Sequence, residues 1–311
     1  MIIVNWNSKE FVRKCLISLH RQCAKLDLEI IVVDNGSFDG CREILAANFP
    51  EVIFLQLEHN VGFGRANNVG FNRATAAFIW LLNPDTEVIG DAASALLTAL
   101  RSQKDIGLVG AKLLNSDGSL QTTCVQSLPT AFNQVLDSEA LRRRLGIWGM
   151  EALRSQSKPI DVEAIPGACM MMRRSDFSRV GCFDPRYFMY CEDMDLCFSI
   201  RKRGLRILYV PDAVVLHHGG RSANQQVNKF SLVMMREALM SYLLKNSGVM
   251  TAWFYRLALA MSAIVRIIVL FILRAAGWPS QERISDSLRK WVITLSWCVG
   301  RERWAKSFSR T

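Results

Sequence analysis

Apolar positions in the N-terminal third of the chain alternate between two periods. "MIIVNW" reads as a buried strand, "KEFVRKCLISLHRQ" carries its apolar residues at helical spacing, and "LEIIVVD" is a second strand that stops in the turn "NGSFDG". The alternation continues: "CREILAANF" predicts a helix, "VIFLQLE" a strand, "GRANNVGFNRATA" a helix, "AFIWLLN" a strand and "DAASALLTALRSQ" a helix. Strand and helix in strict succession point to an open α/β sheet with parallel strands at its centre. Ligands of such sheets bind beyond the carboxyl ends of the strands, where Asp34 and Asp85 fall.

From about Leu120 to Pro166 the pattern loosens, and "QSLPT", "LRRRLG" and "RSQSKP" predict a long connection over the surface. Regular signals return with "IPGACMMMRRSDFSRVGCFD", and further on "LRILYV" and "AVVLHH" read as two strands. Between them, "YFMYCEDMDLCFSIRKRG" has Met194, Cys197, Phe198 and Ile200 at helical spacing, with Gly204 placed as the residue after the last turn. Glu192, Asp193 and Asp195 then occupy the first turn. One carboxylate there caps a helix and offsets its dipole, typically by ~0.3–1 kcal/mol. Three exceed that need. A carboxylate at a helix N-terminus is expected to stay ionised at neutral pH, as a general base must.

The stretch from Val249 to Ala276 is apolar but interrupted by Arg256, Arg266 and Arg274. At helical spacing the three arginines fall in a sector of roughly 80°, which predicts an interfacial helix with a polar stripe; a buried core helix and a membrane-spanning helix are the alternatives. Trp253, Trp278, Trp291, Trp297 and Trp304 are candidate anchors at headgroup level. Charge sharpens this division. The chain has 311 residues and a formal net charge of +10. Residues 1–220 hold 24 Lys/Arg and 24 Asp/Glu, whereas residues 221–311 hold 14 and 4, so the excess lies wholly in the tail. We therefore divide the sequence into an α/β domain, 1–220, and a basic helical region, 221–311, that associates with an anionic membrane surface. No nucleic-acid-binding motif accompanies the charge, so no nucleic-acid partner is expected.

Composition adds a few bounds. Half of the residues are hydrophobic, enough for a sizeable core. The 9 cysteines form no CxxC pair, which argues against a zinc site or disulfide framework and for a reducing compartment. "MIIVNWNSKE" has no leader signature, which predicts a chain that stays inside the cell.

Chemistry concentrates in three places. Asp85 follows an apolar strand, and Pro84 suits a turn there; the carboxylate either begins the next connection or holds a divalent cation against a diphosphate. His217 and His218 end a strand and run into two glycines, which permit close approach of a ligand. The acidic turn is the third.

Six segments in this order, "IIVNWN", "VVDNGSFDG", "NVGFGRANNVGF", "LLNPDTEV", "PGACMMMRRSDFSRVGCFDPRYFMYCEDMDLC" and "HHGGRS", resemble the inverting family 2 glycosyltransferases, in particular the rhamnosyltransferase-like branch. The match runs from the first residues to about Ser222. The resemblance implies a GT-A fold, a Rossmann-like mixed sheet, binding a nucleoside diphosphate sugar. It implies that Asp34 meets the nucleotide base with Asn5 nearby, and that Asn60, Gly62 and Asn67 line the nucleotide pocket. Asp85 matches the last acid of the family's D-x-D metal motif, whose first position is Asn83 here, leaving one fewer charged ligand for Mg2+ or Mn2+. His217 matches the histidine that completes the metal site, and Asp193 matches the catalytic base. Glu192 and Asp195 are candidates for orienting the acceptor or capping the helix. The expected reaction moves rhamnose from dTDP-rhamnose to a lipid-linked saccharide in cell-envelope polysaccharide synthesis, at the cytoplasmic face of the plasma membrane. Hexosyl or galactofuranosyl transfer from a UDP-sugar is the alternative, as is a silent sugar-nucleotide-binding scaffold.

Overall fold

The computed structural model describes residues 1–23, 26–136, 156–219, 228–278 and 281–308. The basic "LRRRLG" segment, the start of "RSQSKP" and residues 220–222 of the last motif lie outside the described residues. The chain divides into two units, one made of residues 1–128, 148–185 and 192–220, the other of 129–147, 186–191 and 221–311. A single cut at 220/221 thus omits two segments, around 129–136 and 186–191, that group with the C-terminal unit.

The first unit is built on one sheet. Its strands are β1 (Ile2–Asn5), β2 (Ile31–Asp34), β3 (Ile53–Gln56), β4 (Phe78–Leu82), β5 (Thr86–Ile89), β6 (Ile106–Leu114), β7 (Ile160–Asp161), β8 (Cys169–Arg173) and β9 (Arg206–His217). They lie in the order β3-β2-β1-β4-β8-β6-β9-β5, with β7 beside β9. β1 to β4 are parallel and buried at most positions, which is why they read as unbroken apolar runs. β8 is antiparallel to both β4 and β6, and β6 runs parallel to β9. Two reversals restore the original direction, so β1 to β4, β6 and β9 all end at the same edge, where β5 and β8 begin.

Helices α1 (Lys9–Gln22), α2 (Cys41–Asn48), α3 (Phe63–Arg73), α4 (Ala92–Ser102), the short α6 (Arg174–Arg179) and α7 (Glu192–Lys202) complete this unit. α1 shows why they form: Val12, Cys15, Leu16 and Leu19 are buried at i, i+3, i+4 and i+7. "LRILYV" and "AVVLHH" prove to be one strand rather than two. Its register against β6 slips between Ala111 and Lys112, a bulge that accommodates Pro211, which has no N–H for the ladder.

The second unit contains α5 (Ala131–Leu136), α8 (Lys229–Asn246), α9 (Val249–Ala275), α10 (Gln281–Cys298) and a 3-10 helix at Arg303–Ser307. α9 has 27 residues, about 40 Å, and is long and apolar enough to cross a membrane. Its buried side is a narrow stripe of Ala252, Tyr255, Leu259 and Ala263. Here the structure corrects the expected polar stripe. Arg256 donates to the carbonyls of Trp297 and Cys298 at 2.9 and 2.8 Å, and Arg266 lies 4.2 Å from the centre of the Trp291 ring. These two arginines face α10, whereas Arg274, near the end of the helix, is exposed; along the rest of the bare face Met250, Leu257, Val265, Ile268 and Ile272 are exposed. Trp291 and Trp297 are buried, so they serve the helix pair and not a headgroup; Trp253, Trp278 and Trp304 are exposed.

Candidate active site

The residues singled out from the sequence gather at the shared carboxyl edge of the sheet. β5 pairs antiparallel with the end of β9, placing Thr86 opposite His217, so Asp85 comes beside that histidine from 132 positions earlier in the chain. Asp85 Oδ1 lies 3.4 Å from His217 Nε2, and Asn83 Nδ2 lies 3.5 Å from the same nitrogen. Both distances are long for hydrogen bonds.

Gln121 decides how His217 presents itself. Its Nε2 donates to the His217 carbonyl at 2.6 Å, which turns its Oε1 toward His217 Nδ1 at 2.9 Å. An amide oxygen only accepts, so Nδ1 carries a proton, and in a neutral ring the Nε2 lone pair would face Asp85. This is the arrangement by which a second residue orients a metal-binding histidine. Gln121 carried no signal in the sequence, because it sits in the irregular stretch after β6. Asn83 Oδ1 adds a second oxygen: it is buried and has no hydrogen-bond partner among the described residues. Ligand atoms about 2.0–2.1 Å from magnesium and at right angles to each other lie about 2.9 Å apart, so Asp85 Oδ1 and His217 Nε2, 3.4 Å apart, would have to draw together by about 0.5 Å around a cation. Among the described residues no group of three or more His, Cys, Asp or Glu could hold a metal. Asp85 and His217 could hold a divalent cation only with most of its shell supplied by diphosphate oxygens and water, as is common for magnesium. His218 turns elsewhere, with Nε2 2.9 Å from Glu87 Oε1 and Nδ1 2.8 Å from Ser116 Oγ.

The second cluster lies where β1 and β2 end. Asn5 Nδ2 contacts Asp34 Oδ2 at 3.2 Å and Asp39 Oδ1 at 3.1 Å, while Asp34 Oδ1 accepts from Ser37 N–H at 2.7 Å. Asp34 is buried, and this network sets its carboxylate rigidly at the strand end. Asn35, which sequence reasoning missed, ties the turn to the loop before α3. Its Nδ2 donates to Asn60 Oδ1 at 2.9 Å and its Oδ1 accepts from Val61 N–H at 2.9 Å. Asn60 Oδ1 also accepts from Gly62 N–H. Gly36 allows this closure: its φ is +75°, and a Cβ there would come within 2.4 Å of the His59 carbonyl carbon. Asn67 is buried and donates to Phe63 O within its own helix at 3.0 Å, which ties part of its amide to α3.

The third cluster is the first turn of α7. The backbone ahead of it is left-handed at Tyr190 and Cys191, with φ of 69° and 62°, a conformation costing on the order of 1–3 kcal/mol per residue outside glycine. Asp193 is half-buried, and its Oδ2 accepts from Gly167 N–H at 3.0 Å while Oδ1 accepts from Met194 N–H at 2.8 Å. The next residue, Ala168, accepts from Asn83 N–H at 3.0 Å, so one short segment before β8 links the acidic turn to the Asp85–His217 pair. Glu192 and Asp195 are buried. Glu192 Oε2 has no hydrogen-bond partner among the described residues. Burial, with the neighbouring charge of Asp193 as the smaller cause, pushes the Glu192 carboxyl up to about 8. Burial also raises Asp193, against the two N–H groups that favour its anion. The expectation that the whole turn stays ionised therefore fails at Glu192. Desolvation outweighs the helix terminus at Glu192.

An acid on a helix turn, an acid and a histidine at strand ends, and a rigid asparagine–aspartate cluster thus come together at the carboxyl edge of the sheet. Residues 1–181 match the model of Glycosyl transferase family 2, and the chain belongs to that family. It is 31% identical over 214 residues to the N-acetylglucosaminyl-diphospho-decaprenol L-rhamnosyltransferase of Mycobacterium tuberculosis, covering 64% of this chain and 69% of the relative. It is 28% identical over 227 residues to the rhamnosyltransferase WbbL of Escherichia coli, covering 70% of this chain and 82% of that protein. Among solved structures it resembles the mannosyltransferase PcManGT of Pyrobaculum calidifontis in complex with GDP-Man and Mn2+, with a TM-score of 0.60 at 14% identity, over 97% of this chain and 86% of that one. The fold is GT-A, and the protein is a nucleotide-sugar-dependent glycosyltransferase of the rhamnosyltransferase-like kind.

Proposed function

We propose that this enzyme transfers rhamnose from dTDP-rhamnose, with inversion, to a lipid-linked saccharide in cell-envelope polysaccharide synthesis. The observation that carries the mechanism is the placement of Asp193: an anion held by Gly167 and Met194 N–H groups, one short segment from the Asp85–His217 pair. In a single displacement the acceptor hydroxyl oxygen forms a bond to the anomeric carbon as the bond from that carbon to the diphosphate oxygen breaks. Asp193 takes the hydroxyl proton, and the bonding pair leaves with the nucleoside diphosphate. Asp34, with Asn5, receives the nucleotide base, and Asn60 and Gly62 shape the adjoining wall. Glu192, protonated, has a hydrogen to donate to a substrate oxygen; Asp195 sits behind it in the same turn. Asp85 and His217 would hold Mg2+ or Mn2+, whose charge would offset that of the departing diphosphate. The donor and acceptor follow the printed names of the rhamnosyltransferase relatives, one of which names a decaprenol-linked substrate.

The membrane reading rests on the exposed face of α9, and the partner is an anionic lipid surface at the cytoplasmic side. α10 lies along α9 from the Arg256–Trp297 contact to the Arg266–Trp291 contact, and carries Glu282, Arg283, Asp286 and Arg289 exposed. Crossing the bilayer with α9 would draw these charges into hydrocarbon at ~2.5 kcal/mol or more for each one near the centre. Lying in the interface keeps them in water while the apolar face of α9 is buried in lipid.

A donor screen tests the function: binding by calorimetry and product release with dTDP-rhamnose, UDP-glucose, UDP-galactose and UDP-GlcNAc, with the product's anomeric configuration read by NMR. Preference for dTDP-rhamnose with an inverted product is expected. Preference for a UDP-sugar or a retained configuration overturns the corresponding part, and binding without turnover of any donor points to a silent scaffold.

A further inference from the structure

The C-terminal unit contains a cavity of ≈ 860 Å³ that the transfer chemistry does not use, lined in part by Trp253, Arg256, Trp297, Val299, Arg303 and Lys306. Its size is in the range of small-molecule sites. Two carboxylates also lie in its wall, and both are engaged within the protein. Glu237 accepts from Trp297 Nε1 at 2.9 Å; Glu302 accepts from Ser296 Oγ at 2.8 Å and Trp304 Nε1 at 2.7 Å, and pairs with Lys229 at 2.9 Å. Arg303 and Lys306 are exposed, so the wall offers cations outward and keeps its anions matched inward. Arg256 meets the last carbonyls of α10 through Nε and Nη2, which accounts for part of its guanidinium and explains its position.

The apolar side of the same cavity joins the start of α9. Trp253 belongs both to the wall and to the first turns of the helix, where Val249, Met250 and Leu257 are 61%, 87% and 66% exposed. Cations, indole rings and a bare apolar helix face in continuity match an amphiphile with an anionic head and an apolar chain. A soluble phosphate has no use for the apolar face, and a neutral apolar chain has none for the cations.

We propose that this cavity receives the phosphate-bearing head of a membrane lipid, the chemical class of the lipid-linked acceptor, with its chain along the exposed face of α9. The proposal rests on the membrane reading above. It supplies the basic tail with a specific ligand where charge alone supplies only general attraction to an anionic surface.

The test uses the full chain in dodecyl maltoside micelles with saturating dTDP, which occupies the donor pocket, and calorimetric titration with farnesyl diphosphate, farnesol or inorganic pyrophosphate. Farnesyl diphosphate is expected to bind at least about tenfold more tightly than either fragment. Arg303→Glu with Lys306→Glu should remove at least about tenfold of that affinity, whereas Arg303→Lys with Lys306→Arg should retain it within about threefold. The conservative pair and the three-ligand comparison decide the matter even if the charge-reversed protein folds poorly, as its thermal melt reveals. Pyrophosphate binding as tightly as farnesyl diphosphate would make this a free-phosphate site, and farnesol doing so would make it a merely apolar surface; either overturns the proposal. So does unchanged affinity in the charge-reversed pair. Flotation of the wild-type protein with vesicles of anionic lipid separates the two readings: farnesyl diphosphate binding without flotation rejects the membrane reading alone, and flotation without farnesyl diphosphate binding rejects the cavity alone.

Discussion

Replacing Gln121 with methionine isolates the orientation of His217 from the rest of the site. Methionine fills similar space but can neither accept from Nδ1 nor donate to the His217 carbonyl, so the contacts of 2.9 and 2.6 Å are both lost. The ring is then free to place its proton on Nε2, the nitrogen that faces Asp85 at 3.4 Å, where a proton excludes a cation. Loss of such an outer partner typically costs 10–100-fold in metal affinity, or about 1.4–2.8 kcal/mol. The half-saturating concentration of Mg2+ or Mn2+ in a donor-hydrolysis assay should therefore rise by about 10–100-fold, with the maximal rate largely recovered at high metal. The stranded carbonyl adds a separate loss of stability, about 1–3 kcal/mol, visible in a thermal melt but independent of metal. Gln121→Glu separates the two effects. A carboxylate accepts from Nδ1 and preserves the tautomer, but cannot donate to the carbonyl, so metal activation should stay near wild type while stability falls. If Gln121→Met leaves the metal requirement within about twofold, or if EDTA has no effect on the wild type, His217 is not a metal ligand and the orienting role assigned to Gln121 is wrong.

Three further outcomes are expected. Asp193→Asn should abolish transfer and leave donor affinity, measured by calorimetry, within a few fold, because the change removes a proton acceptor and hardly alters shape; turnover near wild type would exclude Asp193 as the base. Glu192 binds its proton more tightly folded, at about 8, than at its ordinary value of 4.5, so wild-type stability should decline as pH rises through that window, by at most ~1.4 kcal/mol per pH unit. Glu192→Gln should flatten that decline in melts taken from pH 5 to 8, and an equal slope in both proteins would show the carboxyl to be ionised. Replacing the exposed Leu257 and Ile268 of α9 with aspartate should release the protein from vesicles containing anionic lipid while donor hydrolysis continues, whereas retention after a carbonate wash would mean that α9 spans the bilayer.

The parallel half of the sheet was legible because β1, β2 and β4 are buried on both faces and so appear as apolar runs between amphipathic helices. β5 and β6 were missed for different reasons. "TEVI" is too short to carry a period, and it is a strand only because β9 offers an edge to pair with. "IGLVGAKLL" is apolar but interrupted by glycines, which admit close packing: a Cβ at Gly110 would come within 2.5 Å of Ile165 Cδ1. In the site, the positions of Asp34, Asp85, Asp193 and His217 could be read directly, because each stands at a strand end, a turn or a helix start with its polar residues in sequence proximity.

What the sequence determined by itself is therefore local: where strands end, where α7 begins, and which acids and histidine stand at those ends. Tertiary structure alone decided the couplings between them. Gln121 reaches His217 across 96 positions, Asn35 reaches Asn60 across 25, and the Glu192 carboxyl is pushed up because burial removes the water that would solvate its charge. Tertiary packing likewise turned Arg256 and Arg266 inward. Helical spacing placed them correctly on one side of α9, but which side faces water depends on where α10 packs, and its indole rings and terminal carbonyls take up the arginines and leave the apolar side bare.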